Sequence, residues 1–147
     1  MAGAEAKATA LGGYRLEDQV GFYLRRAGQR HAAIFAQHMI DDLTPTQWAA
    51  LVKLAEFESL SQNLLGRETA MDAATIKGVV DRLLRRGFVK TAPDPEDGRR
   101  MRVSITRDGV AAVARGVAPA TAITAETLEP LGLAERRTLV ELLRRIG

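Results

Sequence analysis

Residues 72–107 read DAATIKGVVDRLLRRGFVKTAPDPEDGRRMRVSITR, and the fold is decided there. Asp72 is a natural N-cap. Ile76, Val79, Val80, Leu83 and Leu84 follow at helical spacing, and Gly87 ends the helix as a left-handed C-terminal residue does. Phe88, Val89 and Thr91 then form a short strand. The run Pro93-Asp94-Pro95-Glu96-Asp97-Gly98 is turn chemistry throughout. Met101, Val103 and Ile105 alternate with Arg102, Ser104 and Thr106, the period of a half-buried strand. The stretch is therefore a helix followed by a β-hairpin. Between Lys77 and Arg107 nine cations face four carboxylates, a net of +5, against +3 for the whole chain. A basic helix and hairpin of this size suit a phosphate backbone.

Outward from this stretch the chain reads as helices. Thr44-Pro45-Thr46-Gln47 is a capping box with proline at the first helical position, and Trp48, Leu51, Val52, Leu54 and Ala55 give that helix its buried face. A short helix carrying Leu64 and Leu65 is expected to start at residues 59–61. Residues 16–40 carry the stripe Val20, Leu24, Ala27, His31, Ile34 or Phe35, and His38, long enough to reach beyond a single small domain. Thr106 caps a further helix towards Leu128, expected to be interrupted and bent at Gly116 and Pro119, and residues 134–146 form the last one. Residues 1–13, rich in Ala and Gly, are expected to be a flexible tail.

The expected fold class is thus mainly α with a two-stranded β wing: a winged helix-turn-helix lobe at 43–108, an N-terminal dimerisation helix at 14–42 and C-terminal dimerisation helices at 109–147. In the lobe, Asp72, Ala74, Thr75, Lys77 and Gly78 open the helix that would enter the major groove, small enough to approach and with Thr75 and Lys77 able to reach base edges and phosphates. Asp97-Gly98-Arg99-Arg100 ends the hairpin, where an arginine fits a narrow minor groove.

Composition narrows the alternatives. The chain has 147 residues, 46% hydrophobic and 27% charged, with no cysteine, which excludes disulfides and cysteine-based metal or redox sites. No apolar run is long enough to cross a bilayer and no signal layout opens the chain, so a cytoplasmic protein without a membrane partner is expected. An enzyme is not expected: there is no glycine-rich phosphate loop and no Ser/His/Asp grouping. No cofactor is implied. His38 with Asp41 or Asp42 supplies only two metal ligands, and His31 lies about 10 Å from His38 along one helix, so no metal site is expected.

Four segments carry a resemblance: Leu43-Thr44-Pro45-Thr46-Gln47-Trp48, Val80-Asp81-Arg82-Leu83-Leu84-Arg85-Arg86-Gly87-Phe88-Val89, Asp94-Pro95-Glu96-Asp97-Gly98-Arg99-Arg100, and Val103-Ser104-Ile105-Thr106-Arg107-Asp108-Gly109. In this order they resemble the MarR family of bacterial multiple-antibiotic-resistance-type transcriptional regulators. The resemblance implies a homodimer, interlocked through the first and last two helices, that straddles a palindromic DNA operator. It implies Arg99 as the minor-groove arginine with Asp97 as its partner, and Arg82 near the phosphate backbone or bracing the lobe. It also implies release of DNA by a small aromatic carboxylate held between the dimerisation helices and the lobe. His31, Phe35, His38, Trp48 and Arg115 are the candidates for that site, and the two histidines serve equally well as packed interface residues. Residues 16–31 are similar to branches that control aromatic-acid catabolism, whose effectors are aromatic acids or aryl-CoA thioesters. The expectation is a ligand-responsive repressor; the alternative is a non-specific architectural DNA-binding protein without an effector.

Overall fold

The computed structural model describes residues 2–147. Its elements run α1 (Ala2–Leu11), a 3-10 turn (Leu16–Asp18), α2 (Val20–His38), α3 (Pro45–Phe57), β1 (Ser59–Ser61), α4 (Gln62–Glu68), α5 (Ala73–Arg85), β2 (Val89–Pro93), β3 (Met101–Ile105), α6 (Arg107–Thr127) and α7 (Leu133–Ile146).

Local chemistry sets most boundaries. At α3 the Thr44 hydroxyl accepts from the Gln47 amide while the Gln47 side chain accepts from the Thr44 amide, so two otherwise orphaned donors are satisfied. Ser61 caps α4, Asp72 caps α5 and Thr106 caps α6, each accepting from the amide three residues on. Gly87 takes φ +74 after the last turn of α5, and the chain reverses into β2. The lobe core is then filled by Leu51 and Leu54 from α3, Leu65 from α4, Ile76, Val79, Val80 and Leu83 from α5, and Val89 and Val103 from the sheet.

Three expectations need correction. Residues 2–11 of the expected tail are helical, although none is buried; an alanine-rich run has helix propensity without an apolar stripe, so periodicity does not reveal it. Position 1 lies outside the described residues. The expected two-stranded wing is the antiparallel pair β2–β3, and a third antiparallel strand joins it in the order β1-β3-β2. β1 occupies residues 59–61, where a helix start was expected, because Leu60 pairs with Val103 and sinks into the core. Finally, α6 runs unbroken through Gly116 and Pro119.

A second, smaller core joins Ile34 and Phe35 of α2 to Ile123 of α6. Met39 and Trp48 pack against both cores, so the segment 39–48 links the lobe to the α2–α6 stalk. Gly116 is required at this junction: a Cβ there would lie 2.3 Å from Cζ3 of Trp48. Gly109, at the start of α6, is equally constrained, since a Cβ would fall 2.2 Å from the carbonyl oxygen of Phe88.

Candidate nucleic-acid interface and effector pocket

α5 buries one face and exposes the other. Ile76, Val79, Val80 and Leu83 are in the core, whereas Asp72, Ala74, Thr75, Lys77 and Arg82 are exposed and Gly78 is half-buried. The first turn therefore presents small and polar groups outward, as a groove-entering helix requires. Asp72 has a second duty: its Oδ1 accepts from the Thr75 amide at 2.7 Å, and that bond holds its carboxyl below the usual carboxylate range. A lowered folded value means the cap stabilises the protein above the unfolded carboxylate pKa and fades as pH falls through the folded one. Asp72→Ala is accordingly expected to lower Tm at pH 7, with the gap to wild type closing on acidification; thermal melts of both proteins from pH 7 to pH 2 check this.

Lys77 donates to Asp81 at 2.9 Å along the helix surface, an exposed pair weak enough to exchange for a phosphate. The guanidinium of Arg82 folds back over Gly78, so Arg82 lies on the exposed face of α5.

The wing tip is built by its aspartates. Asp94 accepts from the Glu96 amide at 2.9 Å and Asp97 from the Arg99 amide at 3.1 Å, while the Arg100 amide donates to the Asp97 carbonyl. The guanidinium that Asp97 pairs with is that of Arg100, at 3.6 Å, and not that of Arg99. Asp97 thus fixes the backbone beneath Arg99, which among the described residues makes no ion pair and is exposed. The partner implied by resemblance is corrected in this sense: Asp97 positions the loop, and the guanidinium of Arg99 is left to solvent.

Sequence reading missed the neighbours of the tip. Ser61, Gln62 and Asn63 face Arg99, Arg100 and Met101 across a hollow of about 180 Å³, so the strand-to-helix corner at β1 and the wing share one polar, cationic recess. Only the pairing of β1 with β3, across more than forty residues, brings them together. Arg102 is anchored inward, to Asp94 at 3.7 Å.

The five effector-site candidates are only partly gathered. Phe35 is buried in the smaller core and Trp48 packs against it. His38 Nε2 meets Glu126 Oε2 at 2.5 Å, and not Asp41 or Asp42. Arg115 donates to Asp41 Oδ2 at 2.8 Å. His31 bonds through Nδ1 to the Thr127 hydroxyl at 2.9 Å and lines a different space. That space is an apolar groove of about 790 Å³ between α2 and α7, walled by Val20, Tyr23, Leu24, Leu139, Leu142 and Ile146 among others. Arg30, which the sequence did not single out, donates to the carbonyls of Glu126 and Thr127 and so closes the C-terminal end of α6.

A three-helix lobe with an outward-facing helix, followed by a basic hairpin and set on a stalk of long helices, defines a winged helix-turn-helix protein. The profile of the MarR family matches residues 41–100. The HTH-type transcriptional repressor NicR of Pseudomonas putida is 39% identical over 134 residues, 90% of this chain and 85% of NicR. Among solved structures, a probable transcriptional regulator from Pseudomonas aeruginosa is 54% identical with TM-score 0.88, over 90% of this chain and 100% of that one. BpsR of Bordetella bronchiseptica, whose DNA binding is regulated by 6-hydroxynicotinic acid, is 41% identical with TM-score 0.86, over 90% of this chain and 96% of BpsR. The chain belongs to the MarR family of transcriptional regulators. Among the described residues no helix is long and apolar enough to cross a membrane.

Proposed function

We propose that this protein is a homodimeric repressor that grips a palindromic operator and releases it when a small aromatic acid binds. The observation that carries the reading is the outward pairing, on one lobe, of the α5 face bearing Thr75 and Lys77 with the wing guanidiniums of Arg99 and Arg100. α5 takes the major groove, Arg99 the flanking minor groove, and the recess lined by Ser61, Gln62 and Asn63 takes a backbone phosphate. The repressor role is supported by the likeness to NicR, and the acid by the likeness to BpsR. Of the two effector classes, the free acid is preferred to the CoA thioester, because the ligand named for BpsR is a free acid and Arg30 is already used on α6.

The occupant of the α2–α7 groove is a second copy of the chain. Of the residues that line it, Val20 is 68% and Ile146 67% exposed in one subunit, and Tyr23, Leu24, Leu142 and Leu143 are exposed with them, a contiguous apolar patch of the kind that marks a protein interface. Leu142→Asp is expected to convert the dimer to monomer and abolish operator binding at nanomolar protein, as read by analytical ultracentrifugation and fluorescence anisotropy.

The function itself is tested by anisotropy on DNA upstream of the protein's own gene. Affinity should fall on the order of a thousandfold between roughly 50 and 200 mM salt, since each of several phosphate contacts releases counterions. Adding 6-hydroxynicotinic acid should release the DNA. A shallow salt slope contradicts the interface, and indifference to aromatic acids contradicts the effector clause.

A further inference from the structure

Met101 opens β3 and shares one face of that strand with Val103 and Ile105, since alternate residues of a strand point to the same side. Val103 is fully buried, but the core gives out before Met101, which is 42% exposed. Its register partner is Pro93, the last residue of β2, and just beyond that pair the Asp94 amide donates to the Arg100 carbonyl at 2.9 Å. The thioether comes to rest in the recess beside the wing, which it lines together with Arg99, Arg100, Ser61, Gln62 and Asn63. Every other residue around that hollow is polar or charged. A sulfur atom thus stands among the guanidiniums that the wing offers to DNA.

The chain has no cysteine and four methionines, so its oxidisable sulfur is all thioether. Met39 and Met71 are half-buried against the core, where packing shields them. Among the described residues Met101 is the exposed methionine. Oxidation turns a flexible apolar side chain into a polar one, and the change is reversed by methionine sulfoxide reductases. At most surface positions this alters little. In this recess it places a new acceptor oxygen beside Arg99 and Arg100, groups that only donate.

We infer that Met101 is a peroxide-sensitive modification site that lowers the protein's grip on DNA. The sulfur lone pair attacks one oxygen of hydrogen peroxide; an S–O bond forms and the O–O bond breaks. The proton on the transferred oxygen passes to the departing hydroxide, which leaves as water, so sulfur gives up two electrons and the peroxide gains them. The sulfoxide oxygen then accepts from a wing guanidinium and fills the recess, and both effects compete with a backbone phosphate. This inference rests on the DNA reading of the preceding section and adds a second input to it. By linkage, sulfoxide that weakens operator binding also means that bound operator protects the sulfur.

The test treats the whole protein with hydrogen peroxide, maps sulfoxide by peptide mass spectrometry and measures operator affinity by anisotropy. Met101 should oxidise ahead of Met39 and Met71, and more slowly with operator bound. The operator Kd should rise about tenfold, the value of one charge-assisted contact, and return to its starting value after treatment with the reductases for both sulfoxide epimers. Met101→Leu keeps the apolar shape without the reactive sulfur, and should bind operator like untreated wild type before and after peroxide. A Met39→Leu, Met71→Leu double variant should keep the full peroxide response. Equal loss of affinity in wild type and M101L overturns the proposal, as does Met101 sulfoxide that leaves the operator Kd unchanged. An untreated wild type whose operator affinity is the same with and without Arg99 overturns the DNA reading of the wing, and this proposal with it.

Discussion

Arg99→Ala is expected to lower operator affinity by about a hundredfold while leaving the dimer and the melting temperature unchanged. A charge-assisted contact in a groove is worth roughly 1.4 kcal/mol or more, a factor of ten, and a dimer on a palindrome makes it twice. Arg99 is exposed and makes no ion pair among the described residues, so its removal costs the fold nothing. Arg100→Ala is the informative comparison. Arg100 already spends part of its charge on Asp97, so its loss should weaken binding less. Asp97→Ala should also weaken binding although aspartate repels phosphate, because it frees the loop on which Arg99 stands. The order of the three effects, read by anisotropy at one fixed salt concentration, separates a built finger from a generic basic patch.

The second large effect lies far from DNA. In an open helix site, Gly→Ala stabilises by about 1 kcal/mol through propensity. At position 116 the sign should reverse, since the added methyl would lie 2.3 and 2.7 Å from two carbons of the Trp48 ring. Overpacking of this kind costs about 1–3 kcal/mol, and for a chain of this size a loss of about 2 kcal/mol means several degrees of Tm. Because Trp48 touches both cores, the displaced ring should also disturb the placement of the lobe on the stalk. Gly116→Ala should therefore melt earlier and respond less to acid, and pairing it with Trp48→Leu should recover much of the lost stability. Additive losses in the double variant would refute the contact as the cause.

The parts of the fold that were legible in the sequence are those set by near neighbours. The caps at Thr44, Asp72 and Thr106, the stripe of α5 and the alternation of β3 each involve residues within a few positions of one another. β1 was not legible, because three residues become a strand only by pairing with β3 some forty-five positions later. The same holds for the recess beside the wing, which needs Ser61 and Arg99 brought together. α1 escaped because alanine favours helix without leaving a pattern. Among the site residues, the wing arginines and the outward face of α5 were legible from charge and spacing. The wiring of Asp97 to Arg100, of Arg115 to Asp41 and of His38 to Glu126 was not. Those pairings depend on side-chain reach across a turn, or between residues 74 and 88 positions apart in the chain. His31 and His38, four residues before and three after Phe35, even divide between two spaces, since one turns towards the α2–α7 groove and the other towards Glu126.

The most direct test of paired lobes reading one duplex is hydroxyl-radical footprinting on the upstream DNA. The account predicts two symmetric protected half-sites with centres about one helical turn, roughly 34 Å, apart, with minor-groove protection at the outer edges that disappears in the Arg99→Ala protein. Uniform protection that follows no sequence, unchanged by that substitution, would contradict it.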